Sequence, residues 1–143
     1  KILKYGILSL IRNPSTLFSK EKKINIRLQF DMMHGNGNLD KAIDLLDDEN
    51  RESFRKFTVN EHSFARGNMF ICKSKKIMNS YYESLFPWLE RCEKIFGFDL
   101  DGYGMTRIYA FLGERYLSYW FSKNTNHLLW PVIFYDTNKF YEN

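Results

Sequence analysis

The sequence predicts a helix-dominated α/β fold, on three observations. A short apolar run over 69–73 (Met69-Phe70-Ile71-Cys72-Lys73) has the length and composition of a buried strand. Ile77, Tyr81, Leu85, Trp88, Cys92 and Ile95 then recur at helical spacing through 74–96. A second long segment, 106–121, is apolar almost all round, as expected of a helix inside the protein rather than on its surface.

The elements follow in order. Ile2, Leu3, Ile7, Leu8, Leu10 and Ile11 suggest an amphipathic helix over 1–12, stopped by Asn13-Pro14. Residues 15–23 are polar and read as a turn or linker, while 24–33 fits helix or strand equally well. His34-Gly35-Asn36-Gly37-Asn38 is the strongest loop signal in the chain. Asn38 or Asp40 then caps a helix through Leu46, with Leu39, Ile43 and Leu46 on one face, and a short helix covers 51–57. Ser74 is a good N-cap for the long helix, Pro87 removes one of its hydrogen bonds and kinks it near Glu83, and Gly97 stops it. A late strand is expected at 131–135, before the turn residues Asp136-Thr137-Asn138. No internal repeat and no compositional break divides the chain.

Bulk properties narrow the function classes. A chain of 143 residues, 44% hydrophobic and 17% aromatic, suits one domain with a real core rather than a disordered segment. No run approaches the ~20 apolar residues that span a bilayer, and no secretory leader is recognisable. Lys1 in place of an initiator Met suggests a processed product or an excised piece. Cys72 and Cys92 are too few for a zinc site and read as inert core thiols in a reducing cytosol. The net charge of +4 gathers at Lys20, Lys22, Lys23 and Arg27 and again at Lys73, Lys75 and Lys76. Aromatic residues do not interleave with these groups, which argues against nucleic acid and leaves contact with an anionic membrane surface open.

Arg107, Glu114 and Arg115 are the ionisable residues of the apolar segment 106–121. Burying a polar group without a partner costs about 2–7 kcal/mol, so such residues are paired or put to use. Arg107 and Glu114 are seven apart, about 20° from one line on a helix but ~10.5 Å along it, too far to pair directly. Each needs another partner, in a structural ion-pair network or in a site where Glu114 accepts a hydroxyl proton and arginine holds an anion. His34 is either a solvated loop residue or a contact to a metal or phosphate. Asn68 carries an amide that backbone or ligand must satisfy, and His62 and His127 have no distinguishing context.

Together, Asn68-Met69-Phe70-Ile71, Lys73, the 81–93 helix with Leu85-Phe86, and Arg107-x5-Gly113-Glu114-Arg115-x-Leu117-x2-Trp120 form a pattern. It resembles a bacterial family found in capsular and exopolysaccharide clusters and classed as glycosyltransferases. The likeness runs over about 30–135 and includes His34, followed by an acidic residue such as Asp40. It implies the acceptor-side, C-terminal half of a GT-A-like nucleotide-sugar transferase fold, dividing the chain into a helical or linker segment, 1–29, and a half-domain, 30–143. The implied reaction moves a sugar from a nucleotide-sugar donor to a surface glycan acceptor, in the cytoplasm or at the inner face of the membrane. Glu114, Arg115 and Arg107 would form the catalytic group, Asn68, His34 and Asp40 would bind substrate, and His34 would contact a divalent cation (Mn or Mg).

The chain departs from that pattern upstream. The family's strand-rich half and its His-Tyr-Arg-Arg motif have no counterpart before His34, and Asp99-Leu100-Asp101 follows a helix stop rather than a strand. The resemblance therefore implies that a donor-binding half is supplied upstream. The rivals are a basic binding module for nucleic acid or anionic membrane, and a non-catalytic half that completes a partner's active site.

Overall fold

The structure, a computed structural model, describes residues 24–130. Six helices run in order among the described residues: α1 (Ile26–His34), α2 (Asn38–Asp44), α3 (Asp48–Asn60), α4 (Lys75–Phe96), α5 (Tyr103–Thr106) and α6 (Ile108–Asn124). No strand occurs among them, so the expected α/β class and its GT-A-like half are wrong for this region. The segment 69–73 carries the error. Ile71 is 97% and Met69 66% exposed, Phe70 turns inward against Tyr81 and Phe121, and Cys72 is half-buried. A five-residue apolar run specifies a strand only where a sheet offers its backbone partners. Here the neighbouring surface is a helix. The helix expected at 1–12, the strand at 131–135 and most of the 1–29 segment lie outside the described residues.

The pattern in 74–96 is fulfilled. Ser74 caps α4 by accepting the Ile77 N–H at 3.3 Å, Gly97 ends it at φ +66°, and Pro87 lies inside it. Tyr81, Leu85, Trp88 and Cys92 are buried, whereas Ile95, at the fraying end, is exposed. Burial pushes the Cys92 thiol up to about 12, which keeps it protonated and unreactive. α4 packs on α6, where Leu112, Tyr116 and Trp120 meet it, and Phe54 of α3 sits edge-on to both Trp88 and Tyr116. Two side chains of α4 also tie down the end of α2: Trp88 Nε1 donates to the Ala42 carbonyl and Arg91 Nε to the Leu45 carbonyl, both at 2.7 Å.

The ambiguous 24–33 stretch is helical. Asn25 accepts the Leu28 N–H at 2.8 Å and donates to the Val59 carbonyl at 3.0 Å, capping α1 and docking it on the end of α3. The helix expected at 51–57 extends over the whole of α3 because Asp47 caps it, accepting the Asn50 N–H at 3.0 Å.

The expected helix 106–121 is borne out as α6, Ile108–Asn124, packed on α4, and only its first two residues fall outside it. Arg107, at φ −109° and ψ 19°, separates the single turn of α5 from α6. The reason lies at Gly104, which presses against the backbone at the end of α1: a Cβ there would collide with the Met33 carbonyl and crowd His34 Nδ1. α5 is therefore set by close backbone approach, not by apolar periodicity. Gly104→Ala must displace α5, and we expect it to lower unfolding stability by about 1–3 kcal/mol in urea denaturation. Gly97→Ala meets no neighbouring atom and should show only the smaller penalty of its positive φ.

Candidate functional site

α6 carries the two adjacent charges that the sequence singled out. Arg115 is 3% exposed and its guanidinium lies among three rings, 4.2 Å from the centroid of Phe64, 5.2 Å from Phe30 and 5.8 Å from Phe111. Its Nη1 donates to Glu114 Oε2 and to the Phe111 carbonyl, each at 3.1 Å. Desolvation draws Arg115 down to about 10, against the attraction of Glu114, and it remains a cation at neutral pH. Glu114 is the outer member of the pair, with its side chain 16% exposed.

The segment 61–74 lies along α6 as an irregular strap. The Ala65 N–H donates to Ser118 Oγ at 2.8 Å, the Gly67 N–H to Glu114 Oε1 at 3.2 Å, and Asn68 Nδ2 to the Ala110 carbonyl at 3.1 Å. Residues 110, 114 and 118 stand four apart and share one helix face. The strap therefore follows a single line of acceptors, antiparallel to α6. Gly113 makes room for it: a Cβ there would sit 3.3 Å from Asn68 Oδ1. Gly67, at φ +71°, supplies the turn that aims its N–H at Glu114. Phe64, one residue before the first clip, lies over Arg115.

His34 is neither loop nor solvated. It is the last residue of α1, 1% exposed, stacked on Phe111 at 4.1 Å and tilted against Phe30 at 4.6 Å. Burial, reinforced by the Arg115 charge, holds its pKa down at about 4, so the ring is neutral at pH 7. Nδ1 lies 3.0 Å from the Gly104 carbonyl, which can only accept, so Nδ1 bears the proton. Nε2 is then an unprotonated acceptor, fully enclosed and without a hydrogen-bond partner among the described residues. The following loop is held from within, by Gly37 N–H donating to Asp31 Oδ1 and Asn38 Nδ2 to the His34 carbonyl, both at 2.9 Å.

Four expected site residues thus come together along α6: His34 and Arg115 against the shared rings Phe30 and Phe111, Glu114 beneath the strap, and Asn68 on the strap itself. Arg107 is not in a buried seam. It is exposed at the head of α6, hydrogen-bonded to the Tyr103 hydroxyl and lying over the Phe111 ring at 5.5 Å, on the rim of the cluster. Asp40 faces a different set of partners, pairing with Arg27 at 2.6 Å and Arg55 at 3.4 Å, an arrangement that fastens α1, α2 and α3. Sequence reasoning missed Phe64, Gly67 and Gly104. The glycine before Asn68 was the available signal, whereas nothing local marks Phe64 as the lid on a charge 51 positions away.

His34 Nε2 is enclosed among rings rather than set among other metal-ligating side chains. No three His, Cys, Asp or Glu side chains come together to hold a metal among the described residues, and the charge that acts on His34 is the cation of Arg115. Nor is there a helix among these residues long and apolar enough to cross a membrane. Two shallow hollows, one between α3 and α6 around Phe57 and Tyr119 and one on α4 around Phe86 and Phe98, share no residue with the cluster.

Comparison with known proteins places the chain. Residues 4–125 match the model of a family described as a domain of unknown function (DUF4422). The chain belongs to that family. No curated protein and no solved structure matches it. The family match spans α1 through α6, so the helices, the strap and the charge pair all fall within the DUF4422 domain.

The buried neutral imidazole has a consequence for pH. A histidine that titrates near 6.5 unfolded and near 4 folded binds its proton more readily in the unfolded chain. Its contribution is therefore full above about pH 6.5 and is lost progressively as pH falls towards 4, by on the order of 3 kcal/mol. Urea midpoints measured from pH 7 to pH 4 should fall steeply, and His34→Phe, which keeps the stacking surface, should flatten that slope.

Proposed function

We propose that this DUF4422 domain serves glycosyl transfer, presenting an acceptor hydroxyl to a nucleotide-sugar donor for extension of a surface glycan, with Glu114 as the proton acceptor. One observation carries it: Glu114 is a carboxylate fixed at both oxygens, by Gly67 N–H and by Arg115 Nη1, yet still open to solvent at its edge. A carboxylate has about four lone-pair sites, so two remain for incoming hydroxyls. Orientation by fixed donors is what a general base needs before its basicity matters.

In this reading the acceptor hydroxyl donates to Glu114 as its oxygen attacks the anomeric carbon. The bond from that carbon to the nucleoside diphosphate breaks, and the proton passes to the carboxylate. Asn68, clipped to Ala110 beside the base, offers its remaining amide hydrogen and carbonyl oxygen to sugar hydroxyls. Arg107, exposed on its shelf of Tyr103 and Phe111, is placed to meet a diphosphate. Arg115 acts on the base rather than on the leaving group, since it is enclosed and points its Nη1 at Glu114. A location at the inner face of a membrane, held there through basic residues such as Lys73, Lys75 and Lys76, belongs to the same proposal.

Glu114→Gln in the complete protein tests the assignment. The amide group cannot satisfy both the Gly67 N–H and the Arg115 guanidinium, so the variant should lose stability by about 3–5 kcal/mol as Arg115 loses its counter-charge. Nucleoside diphosphate release from nucleotide sugars in the presence of a glycan acceptor, measured per folded molecule, should fall by about 10²–10⁴. A destabilised variant that turns over normally per folded molecule would remove Glu114 from the chemistry.

A further inference from the structure

The cluster holds two polar atoms that the reading above does not use. Arg115 Nε and His34 Nε2 are both fully enclosed, and neither has a hydrogen-bond partner among the described residues. One is an obligate donor and the other, with Nδ1 committed to Gly104, an obligate acceptor. Both side chains lie against the same two rings, Phe30 and Phe111. Buried polar atoms are almost always paired, so an enclosed donor and an enclosed acceptor set against the same two rings each call for a partner.

Three properties define a single molecule that would partner both. Nη1 is taken by Glu114 and Phe111, which leaves the Nε edge of the guanidinium fork, the edge that grips carboxylate or phosphate oxygens side-on. The local charge favours an anion there, because Arg66 adds a second positive charge beside Arg115 while Glu114 supplies the neighbouring negative one. A bare oxyanion would still be repelled by the lone pair of His34 Nε2, so the molecule must also offer that atom a hydroxyl hydrogen. The walls are phenyl rings, suited to the C–H face of a small ring. Phe64 covers the guanidinium, and its strap is held to α6 by three hydrogen bonds, so entry requires those three bonds to open.

We propose that Arg115 and His34 form a subsite for an acidic sugar, a ring bearing a carboxylate or phosphate next to a free hydroxyl, bound beneath the strap. The oxyanion takes the Nε edge of Arg115 and the adjacent hydroxyl donates to His34 Nε2. This names a substrate class for the transfer reaction and rests on that reading for its purpose, though the binding itself does not require turnover.

The Arg115 Nε–H resonance of the nitrogen-15-labelled complete protein reports directly on the free edge. Glucuronate, glucose 6-phosphate, glucose and inorganic phosphate are titrated in turn, the first two distinguishing a carboxylate from a phosphate source. At least one acidic sugar should move the resonance saturably, glucose should leave it in place, and inorganic phosphate should bind about tenfold more weakly or worse for want of the fixed hydroxyl and ring. Arg115→Lys, which keeps the charge but loses the fork, and His34→Phe, which keeps the stacking, should each weaken acidic-sugar binding at least about tenfold. Should Arg115→Lys not fold, the wild-type titration and His34→Phe decide. An Nε–H unmoved by either acidic sugar, as it would be if a single internal water bridges the two atoms, overturns the proposal. So does equal binding of glucose or of inorganic phosphate. Intact acidic-sugar binding in a protein with no transferase activity would count against the proposed reaction and leave the subsite standing.

Discussion

The burial of one guanidinium governs this domain. Taking a cation such as Arg115 out of water is tolerable only with a counter-charge, hydrogen-bond acceptors and polarisable surroundings. The structure supplies each from a different element: Glu114 and the Phe111 carbonyl from α6, Phe30 from α1, and Phe64 from the strap. The Glu114 carboxylate, once placed for Arg115, also accepts Gly67 N–H, and so fixes the course of the strap. The same charge helps keep His34 neutral. An otherwise apolar helix thus acquires a polar end whose parts depend on one another.

How far this was legible in the sequence depended on whether the signal was local. α4 could be read because one side chain in three or four repeats an apolar character, and the cap and stop residues stand at its ends. The false strand at 69–73 shows the opposite case. Its apolar residues do not alternate, its length fits either element, and its fate was settled by its neighbours: Gly67 and Asn68 just before it are clipped to α6, and Phe70 packs on rings of α4 and α6. The separate turn α5 ahead of Arg107 was equally hidden, because it rests on Gly104 meeting Met33, residues more than seventy positions apart.

The site divides in the same way. Glu114 and Arg115 stood out because charges are rare in a helix so apolar, and the structure brings them into contact with each other rather than with Arg107. Asn68 carries an amide that needs a partner, and finds one at Ala110. His34 was expected to be open to metal or phosphate from its glycine-rich surroundings. In the structure those glycines allow a tight turn that seals the helix end, leaving the ring packed between phenylalanines. Asp40, which the resemblance implies as a substrate contact, pairs with two arginines between helices.

The central claim is that Glu114 and Arg115 act as one unit, with the carboxylate placed by the guanidinium it neutralises. A double-mutant cycle on unfolding stability, using Glu114→Gln, Arg115→Met and the combination, measures this directly. Glu114→Gln alone should be the costlier lesion, because it strands a buried charge, and adding Arg115→Met should recover part of the loss, giving a coupling of about 2–3 kcal/mol. Strictly additive effects of the two substitutions would show that the pair is incidental and would contradict the account.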